Sequence, residues 1–352
     1  MDAIIHIGLN KAGSTSIQHW LTENSPVLAT GGIGYARHRF LPPSPRYGTQ
    51  HVELLLPAAA VHGLRLLRPA VKAELALTDR AAIAAAADRY TVFLRDQLAG
   101  SDMARWVFSS EYLAGRRTEP AHVTTLDAWL HDIFDTVRYV LYLRDPADWL
   151  SSRYSQAVLH GSVLSLDAFL EHHAEPEIDQ RLRAWHSAVG PARLDVRLLE
   201  RDFLIGGDLI ADFSHVIGAT DLPTRRVPRF NEGLDPASLE ELRVFNMAHA
   251  DAPKDSFKKT RARLIARLRT TAQTAPALRL DATQRARVAA RHATALKWIR
   301  DTYFPEREAL FSTPQAPAPS ETRSDHGARP PKPSDPAAAT TPLGRLRQMW
   351  KG

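Results

Sequence analysis

Residues that could bind an anion occur close to the start of the chain. An apolar run there passes through a glycine-flanked loop into an amphipathic pattern, in the order His6-Ile7-Gly8-Leu9-Asn10-Lys11-Ala12-Gly13-Ser14-Thr15-Ser16-Ile17. In a strand–loop–helix arrangement the backbone amides of the loop and of the first helical turn point at one spot, where the helix dipole adds positive potential. The segment therefore predicts a site for a phosphate or sulfate group. The residues predicted to bind it are Lys11, Ala12, Gly13, Ser14, Thr15 and Ser16.

A nucleotide kinase or GTPase loop is the first alternative for this segment. Such loops read Gly-x-x-x-x-Gly-Lys-Ser/Thr, with the lysine directly after the second glycine. Gly8 and Gly13 have that separation, but Ser14 occupies the lysine position and Lys11 comes two residues before Gly13. The spacing speaks against ATP or GTP as the ligand. A glycine- and serine-rich turn that binds nothing is the second alternative.

A second group of polar residues follows another apolar run, Val137–Leu143. Arg144 ends this run, and Ser152 comes eight residues later. Ligands of open α/β sheets bind beyond the carboxyl ends of the strands. Arg144 and Ser152 are therefore predicted to bind a second anionic group near the first loop. The alternative is a surface ion pair between Arg144 and Asp145 or Asp148.

Four short apolar runs predict the strands that position these residues. They are Ala3–Ile7, Arg105–Phe108, Val137–Leu143 and Leu194–Leu199, and the last alternates apolar with charged residues, which places it near a sheet edge. Amphipathic helical patterns lie between the runs. This alternation predicts an α/β fold, with a parallel sheet flanked by helices on both faces.

The pattern changes twice towards the end of the chain. Beyond residue 236 only helical patterns occur, so residues 1–312 are predicted to form one α/β domain whose part 236–312 is mainly helical. Residues 313–342 hold eight of the 24 prolines and almost no large apolar residue, so they cannot bury enough surface to offset chain entropy. Residues 313–352 are therefore predicted to be a disordered, basic tail.

Composition excludes several classes of function. The 352 residues include no cysteine, which rules out thiolate nucleophiles, thiolate zinc sites and disulfide scaffolds. The formal charge is +6, but half of it comes from the tail, so nucleic-acid binding gains little support. No run of about 18 uncharged apolar residues occurs, and the first apolar run is too short for a signal peptide. We expect a cytoplasmic protein without stable membrane insertion.

The two anion motifs together resemble the sulfotransferase family that uses 3'-phosphoadenosine 5'-phosphosulfate. In that family the 5'-phosphosulfate loop reads Lys-Ser/Thr-Gly-Ser/Thr-Ser/Thr, and an arginine followed eight residues later by a serine binds the 3'-phosphate. Lys11 to Ser16 and the pair Arg144 and Ser152 match these motifs, except that Ala12 stands where the family usually has a hydroxyl. Weaker likenesses continue to Phe311, and Arg229, just before Asn231, matches loosely a family contact to the 3'-phosphate.

The resemblance implies sulfuryl transfer to the hydroxyl of a carbohydrate or small metabolite, with no metal ion. Lys11 is expected to stabilise charge on the departing bridging oxygen. Two residues are candidates for the general base that the acceptor hydroxyl needs. Glu111 follows the second predicted strand, and His51 lies on a segment that could line the acceptor pocket. The alternatives are a helix-capping or ion-pair role for Glu111 and a surface position for His51.

Two other hypotheses about the function stay open. A nucleotide kinase would need magnesium and ATP, and a nucleotide-binding protein without turnover would keep only the anion loops. The basic run from Lys254 to Arg269 either guides an anionic acceptor or is the solvated face of a helix that packs through Leu264, Ile265 and Leu268.

Overall fold

The computed structural model describes residues 1–35, 40, 49–67, 69–115, 118–172, 178–226, 234–252, 254–271 and 276–312. Met1–Phe311 form one compact unit. Two predictions fall outside the described residues, namely the role of Arg229 and the disorder of residues 313–352.

A five-stranded parallel sheet forms the centre of the molecule, in the order β2-β3-β1-β4-β5. The strands are β1 (Asp2–Ile7), β2 (Ile33–Tyr35), β3 (Arg105–Ser110), β4 (Thr136–Leu143) and β5 (Leu194–Leu198). The four predicted strands are confirmed, and β5 lies at the edge with alternating buried and half-buried residues. β2 was not predicted, because it is three residues long and has Gly34 at its centre.

Helices connect and cover the strands. They are α1 (Ser14–Thr30), α2 (Leu56–His62), α3 (Pro69–Glu74), α4 (Arg80–Ala99), α5 (Pro120–His131), α6 (Pro146–Leu159), α7 (Leu166–His172), α8 (Ile178–Val189), α9 (Leu209–Val216), α10 (Pro236–Ala248), α11 (Lys254–Thr271) and α12 (Ala282–Tyr303). In the described part of the chain, no helix combines the length and apolar character needed to span a bilayer.

Two tyrosines of β4 show how helices pack on both faces of the sheet. Tyr139 and Tyr142 are three residues apart, so their side chains point to opposite faces. The Tyr139 hydroxyl donates to Asp127 Oδ1 of α5 at 2.6 Å, and the Tyr142 hydroxyl donates to Asp212 Oδ2 of α9 at 2.7 Å. The predicted α/β architecture is confirmed.

An arginine completes each of these two contacts. Arg197 on β5 donates two hydrogen bonds to the fully buried Asp212, from Nε at 2.6 Å and from Nη2 at 2.7 Å. Arg193, just before β5, donates two hydrogen bonds to Asp127 at 2.7 and 2.8 Å. Burial raises the pKa of Asp212, but the hydrogen bonds from Arg197 and Tyr142 outweigh it and hold the pKa below its ordinary value. The charged carboxylate therefore fastens α9 to two strands.

A buried polar contact joins β1 to β3 below the loop that follows β1. His6 Nδ1 lies 2.8 Å from Ser109 Oγ, which also accepts a hydrogen bond from Gln18 Nε2 of α1 at 3.1 Å. Burial lowers the pKa of His6 to about 3, so its ring is neutral at physiological pH. The contact fixes the start of α1 relative to β1 and β3 without placing a charge under the loop.

A second apolar cluster joins α6, α7 and the helices that follow residue 236. In α11, Leu268 is buried and Leu264 and Ile265 are half-buried against this cluster. Arg261 Nη2 donates to the carbonyls of Val158 and Leu159 at the end of α6. The basic run thus packs as an amphipathic helix, as the second of its two predicted roles requires.

Candidate anion-binding site

The site lies at the carboxyl ends of the neighbouring strands β1 and β4. After β1 the chain crosses to β2 at one edge of the sheet, and after β4 it crosses to β5 at the opposite edge. Neighbouring strands whose connections diverge leave a crevice at their carboxyl ends, which is where open α/β sheets bind ligands. The residues that follow β1 and β4 therefore share one crevice.

Hydrogen bonds of ordinary length stabilise the loop between β1 and α1. Gly8 N donates to Ser110 O at 3.0 Å, and both Ala12 N and Ser14 Oγ donate to Leu9 O at 3.1 Å. Ala12 and Ser14 are each only 1% exposed. The amide of Ala12 and the hydroxyl hydrogen of Ser14 thus hold the loop in shape, and their binding to an anion stays a prediction.

Lys11 has an unusual backbone conformation in this loop. Its φ is 66°, in the left-handed region that costs a non-glycine residue about 1–3 kcal/mol. Gly13 has φ 84°, and a Cβ there would come within 2.2 Å of Leu209 Cδ2. Two contacts from beyond β4 hold the loop, since Arg144 Nη1 donates to Lys11 O at 3.0 Å and Trp149 Nε1 donates to Asn10 O at 2.8 Å.

The N-terminus of α1 differs from those of five other helices in the described part of the chain. An aspartate side chain caps each of the helices α4, α6, α9, α10 and α12. α1 instead begins after Gly13, and no side chain caps it. Thr15 and Ser16 in its first turn are half-buried. This helix end therefore keeps the positive potential that the aspartates neutralise elsewhere.

Four charged residues converge on the loop. Burial lowers the pKa of Lys11, the charges of Arg153 and Arg144 lower it further, and Glu111 opposes them. Burial likewise lowers the pKa of Arg144. Three half-buried cations around one carboxylate leave an excess of positive charge in the crevice, which suits an anionic ligand.

Arg144 does not form the surface ion pair that was its alternative role. Arg285 of α12 instead reaches Asp148 Oδ1 at 2.6 Å and Asp145 Oδ1 at 3.2 Å. Asp145 also caps α6 by accepting from the amides of Ala147 and Asp148. Ser152 lies in the second turn of α6 and is half-buried.

Arg153 was missed in the sequence because it does not follow a strand. It lies in α6 one turn after Trp149, and its guanidinium carbon is 5.6 Å from the centre of the Trp149 ring. Its Nη1 donates to Gln156 Oε1 at 2.8 Å. The signal that could have found it is the i, i+4 spacing of Trp149 and Arg153 behind Arg144.

Glu111 lies beside the loop. It begins the 3-10 turn Glu111–Ala114 directly after β3, and its Cγ is 3.0 Å from where a Cβ on Gly8 would lie. Its amide donates to Gln50 Oε1 at 2.9 Å. Ser110, not Glu111, caps the turn. Glu111 thus lies close enough to Lys11 for their charges to interact, and its role as a base stays a prediction.

His51 is in the core, which excludes the surface position considered for it. It is 1% exposed, with its ring against Tyr35 and Phe108. Ser109 N donates to its Nδ1 at 3.1 Å, so the ring lone pair that a base would use is occupied. The contact favours a structural role, and catalysis by His51 stays a prediction.

The segment that leads to Arg229 is described as far as residue 226. Asn24 of α1 holds it by accepting from Arg225 N at 2.6 Å and donating to Arg225 O at 3.0 Å. The side chains of Arg225 and Arg226 are exposed. The segment therefore runs along α1, the helix whose N-terminus forms the site.

A cavity of about 40 Å³ lies next to the turn that begins at Glu111. Its walls are mostly apolar and include Leu55, Tyr112, Leu113, Val123, Leu126 and Trp185. Thr118 and His122 add polar groups. The described residues that line it include no aspartate, glutamate, lysine or arginine.

Two solved structures are similar to this one over most of its length. The match to the sulfotransferase from Alicyclobacillus acidocaldarius covers 80% of this chain and 98% of that protein's chain, with 14% identity and a TM-score of 0.34. The sulfotransferase domain from the curacin biosynthetic pathway covers 83% of this chain and 96% of its own, with 15% identity and a TM-score of 0.34. No protein-family model and no curated protein matches the chain.

Proposed function

We propose that the protein transfers a sulfuryl group from 3'-phosphoadenosine 5'-phosphosulfate to an acceptor hydroxyl. The observation that carries the proposal is the contact of Arg144 with the carbonyl of Lys11 at the uncapped start of α1. It brings the cations that follow β1 and β4 into one crevice, where a ligand with more than one anionic group can meet both. Lys11 and the first turn of α1 would take the phosphosulfate, and Arg144 with Ser152 the 3'-phosphate.

The reaction breaks the bond between sulfur and the bridging oxygen of the phosphosulfate and forms a bond between sulfur and the acceptor oxygen. The electron pair of the broken bond stays on the phosphate, where Lys11 stabilises the developing charge. The acceptor proton passes to the carboxylate of Glu111. Like phosphoryl transfer, the step depends mainly on position and charge.

A binding experiment separates this function from its rivals. Isothermal titration of the full chain with adenosine 3',5'-bisphosphate is expected to show binding, whereas ATP with Mg²⁺ binds more weakly. Binding of ATP–Mg²⁺ without binding of the bisphosphate would contradict the proposal and favour a kinase. Bisphosphate binding without transfer to a panel of sugars, phenols and aliphatic alcohols would favour a protein that binds the nucleotide but has no turnover.

The acceptor is proposed to be a hydroxyl-bearing small molecule or glycan. Products that gain one SO₃ in a cell extract supplied with labelled sulfuryl donor would identify it by mass spectrometry. A cytoplasmic location stays a prediction.

Arg144→Ala is expected to weaken bisphosphate binding by about 10- to 100-fold and to change kcat by less than about threefold. The variant loses charge-assisted hydrogen bonds, which contribute about 1.5–3 kcal/mol each. Titration and steady-state kinetics measure the two effects. The matched control is Arg138→Ala, which removes an exposed arginine of β4, the strand that Arg144 follows, and is expected to change neither. Unchanged binding by the Arg144 variant would contradict its role.

Glu111→Gln is expected to lower kcat by about 100-fold, because the amide cannot accept the acceptor proton. Steady-state kinetics with a sulfuryl acceptor measure the loss. Glu74→Gln, on the exposed part of α3, is the matched control. His51→Asn keeps an acceptor for the amide of Ser109 and is expected to keep kcat within about threefold of the parent. A loss of kcat of about 100-fold in His51→Asn but not in Glu111→Gln would assign the base to His51.

A further inference from the structure

Arg144 is followed by two carboxylates that could form an ion pair with its guanidinium group. Asp145 and Asp148 lie at the N-terminus of α6, and their charges act on Arg144 more than those of other carboxylates in the described part of the chain. An arginine within reach of a carboxylate ordinarily forms a two-bond contact with it. Such a pair would occupy the N–H groups that an anionic ligand needs.

Arg285 of α12 binds both carboxylates. It lies in the first turn of α12, with Nη1 at 2.6 Å from Asp148 Oδ1 and Nη2 at 3.2 Å from Asp145 Oδ1. Its side chain is 17% exposed. A cation in the first turn is unfavourable for the helix itself, so this arginine gains its stabilisation from the two aspartates rather than from α12.

The contacts of Arg144 show that Asp145 and Asp148 pair with Arg285 and not with Arg144. Its Nη1 donates to the carbonyl of Lys11, and neither Asp145 nor Asp148 forms an ion pair with it within 4.0 Å. Arg285 thus neutralises the acidic start of α6, and Arg144 donates to the loop that follows β1.

We propose that Arg285 is a positioning residue that holds Asp145 and Asp148 away from Arg144 and so keeps the Arg144 guanidinium available to an anion. The inference rests on the proposed function, since it requires a ligand phosphate at Arg144. It gives the helical part of the chain beyond residue 236 a role in the anion site, through a side chain that touches no ligand.

Loss of Arg285 changes the crevice in two ways. The local charge falls by one, and two carboxylates are left to compete for Arg144. Arg285→Met is therefore expected to weaken binding of adenosine 3',5'-bisphosphate by about tenfold, the value of one charge-assisted hydrogen bond. Arg285→Lys keeps the charge and is expected to lose less than about threefold.

The decisive experiment is a double-mutant cycle measured by isothermal titration of the full chain with adenosine 3',5'-bisphosphate. Asp148→Asn removes the carboxylate that Arg285 binds at the shorter distance, while Asp145 stays to cap α6. In the background of Arg285→Met, Asp148→Asn is expected to recover at least threefold of the lost affinity. Alone, it leaves binding equal to that of the parent or tighter. A purely structural role of Arg285 would not produce this recovery.

Arg287→Met is the matched control, because Arg287 lies two residues further on α12 and pairs with Glu171 at 3.7 Å on the surface. It is expected to bind within twofold of the parent. Parent-like binding by Arg285→Met, or a double variant as weak as the single one, would overturn the inference. Should Arg285→Met not fold, a loss above threefold in Arg285→Lys would overturn it as well. A parent protein that does not bind the bisphosphate would instead overturn the proposed function.

Discussion

Lys11→Ala is expected to lower kcat by about 10²–10³-fold, the effect of removing one group that stabilises charge in a transition state. The Kd of adenosine 3',5'-bisphosphate is expected to change by less than about tenfold, because the bisphosphate lacks the bond whose cleavage creates that charge. Alanine keeps the same left-handed conformational cost as lysine at φ 66°, so the loop backbone is not relaxed by the change.

Rapid-quench measurement of a single turnover checks this prediction, since it reports the chemical step separately from product release. Lys258→Ala, on the exposed face of α11, is the matched control and is expected to match the parent. A Lys11 variant that loses binding and turnover to the same extent as Arg144→Ala would contradict the separate roles of the two residues.

Asp212→Asn is expected to lower the free energy of unfolding by about 3 kcal/mol. Removing one partner of a buried ion pair costs about 3–5 kcal/mol because the other charge is left uncompensated. The lower end applies because Arg197 keeps 25% of its side chain exposed. Urea unfolding at pH 7 measures the change.

The matched control for Asp212 is Asp127→Asn on the opposite face of the sheet. It breaks the same combination of tyrosine, aspartate and arginine, but Asp127 and Arg193 are 14% and 33% exposed. Water therefore compensates part of the loss, and a smaller destabilisation is expected. Equal losses for the two variants would mean that burial does not set the strength of these contacts.

The pH dependence of the Asp212 effect has a defined sign. The folded pKa of Asp212 lies below its ordinary value, so the contribution to stability is fully present above an unfolded pKa of about 3.9. It is lost as the pH falls through the lower, folded pKa. The stability difference between parent and Asp212→Asn should be the same at pH 7 and pH 5 and should narrow only below about pH 4.

The sequence predicted those strands whose apolar runs are long enough to be distinctive. The edge position of β5 followed from the alternation of Leu194, Val196 and Leu198 with charged residues. β2 gave no such signal, because Gly34 supplies no side chain and Trp106 fills the space where its Cβ would lie, at 2.7 Å. The order of the strands depends on contacts between distant segments, which periodicity within one segment does not report.

In the site, the sequence predicted residues that directly follow strands, since Lys11, Glu111 and Arg144 all come after a buried run. It could not predict the contacts that come from elsewhere in the chain. Arg285 is 140 residues from Asp145, and only tertiary packing of α12 against α6 brings them together. The sequence left open whether His51 lines a pocket or lies at the surface, because nothing local indicates that β3 offers it a backbone amide.

The position of β1 has a consequence for synthesis of the protein. Of the five strands of the sheet, β1 is synthesised first, yet it is the central one, and its partners β3 and β4 begin only at Arg105 and Thr136. At about 5–20 residues per second, roughly 5–20 s pass before the first partner exists. Throughout that time the nascent chain carries Ile4, Ile5 and Ile7 without their native strand partners, which leaves these apolar side chains free to form non-native contacts.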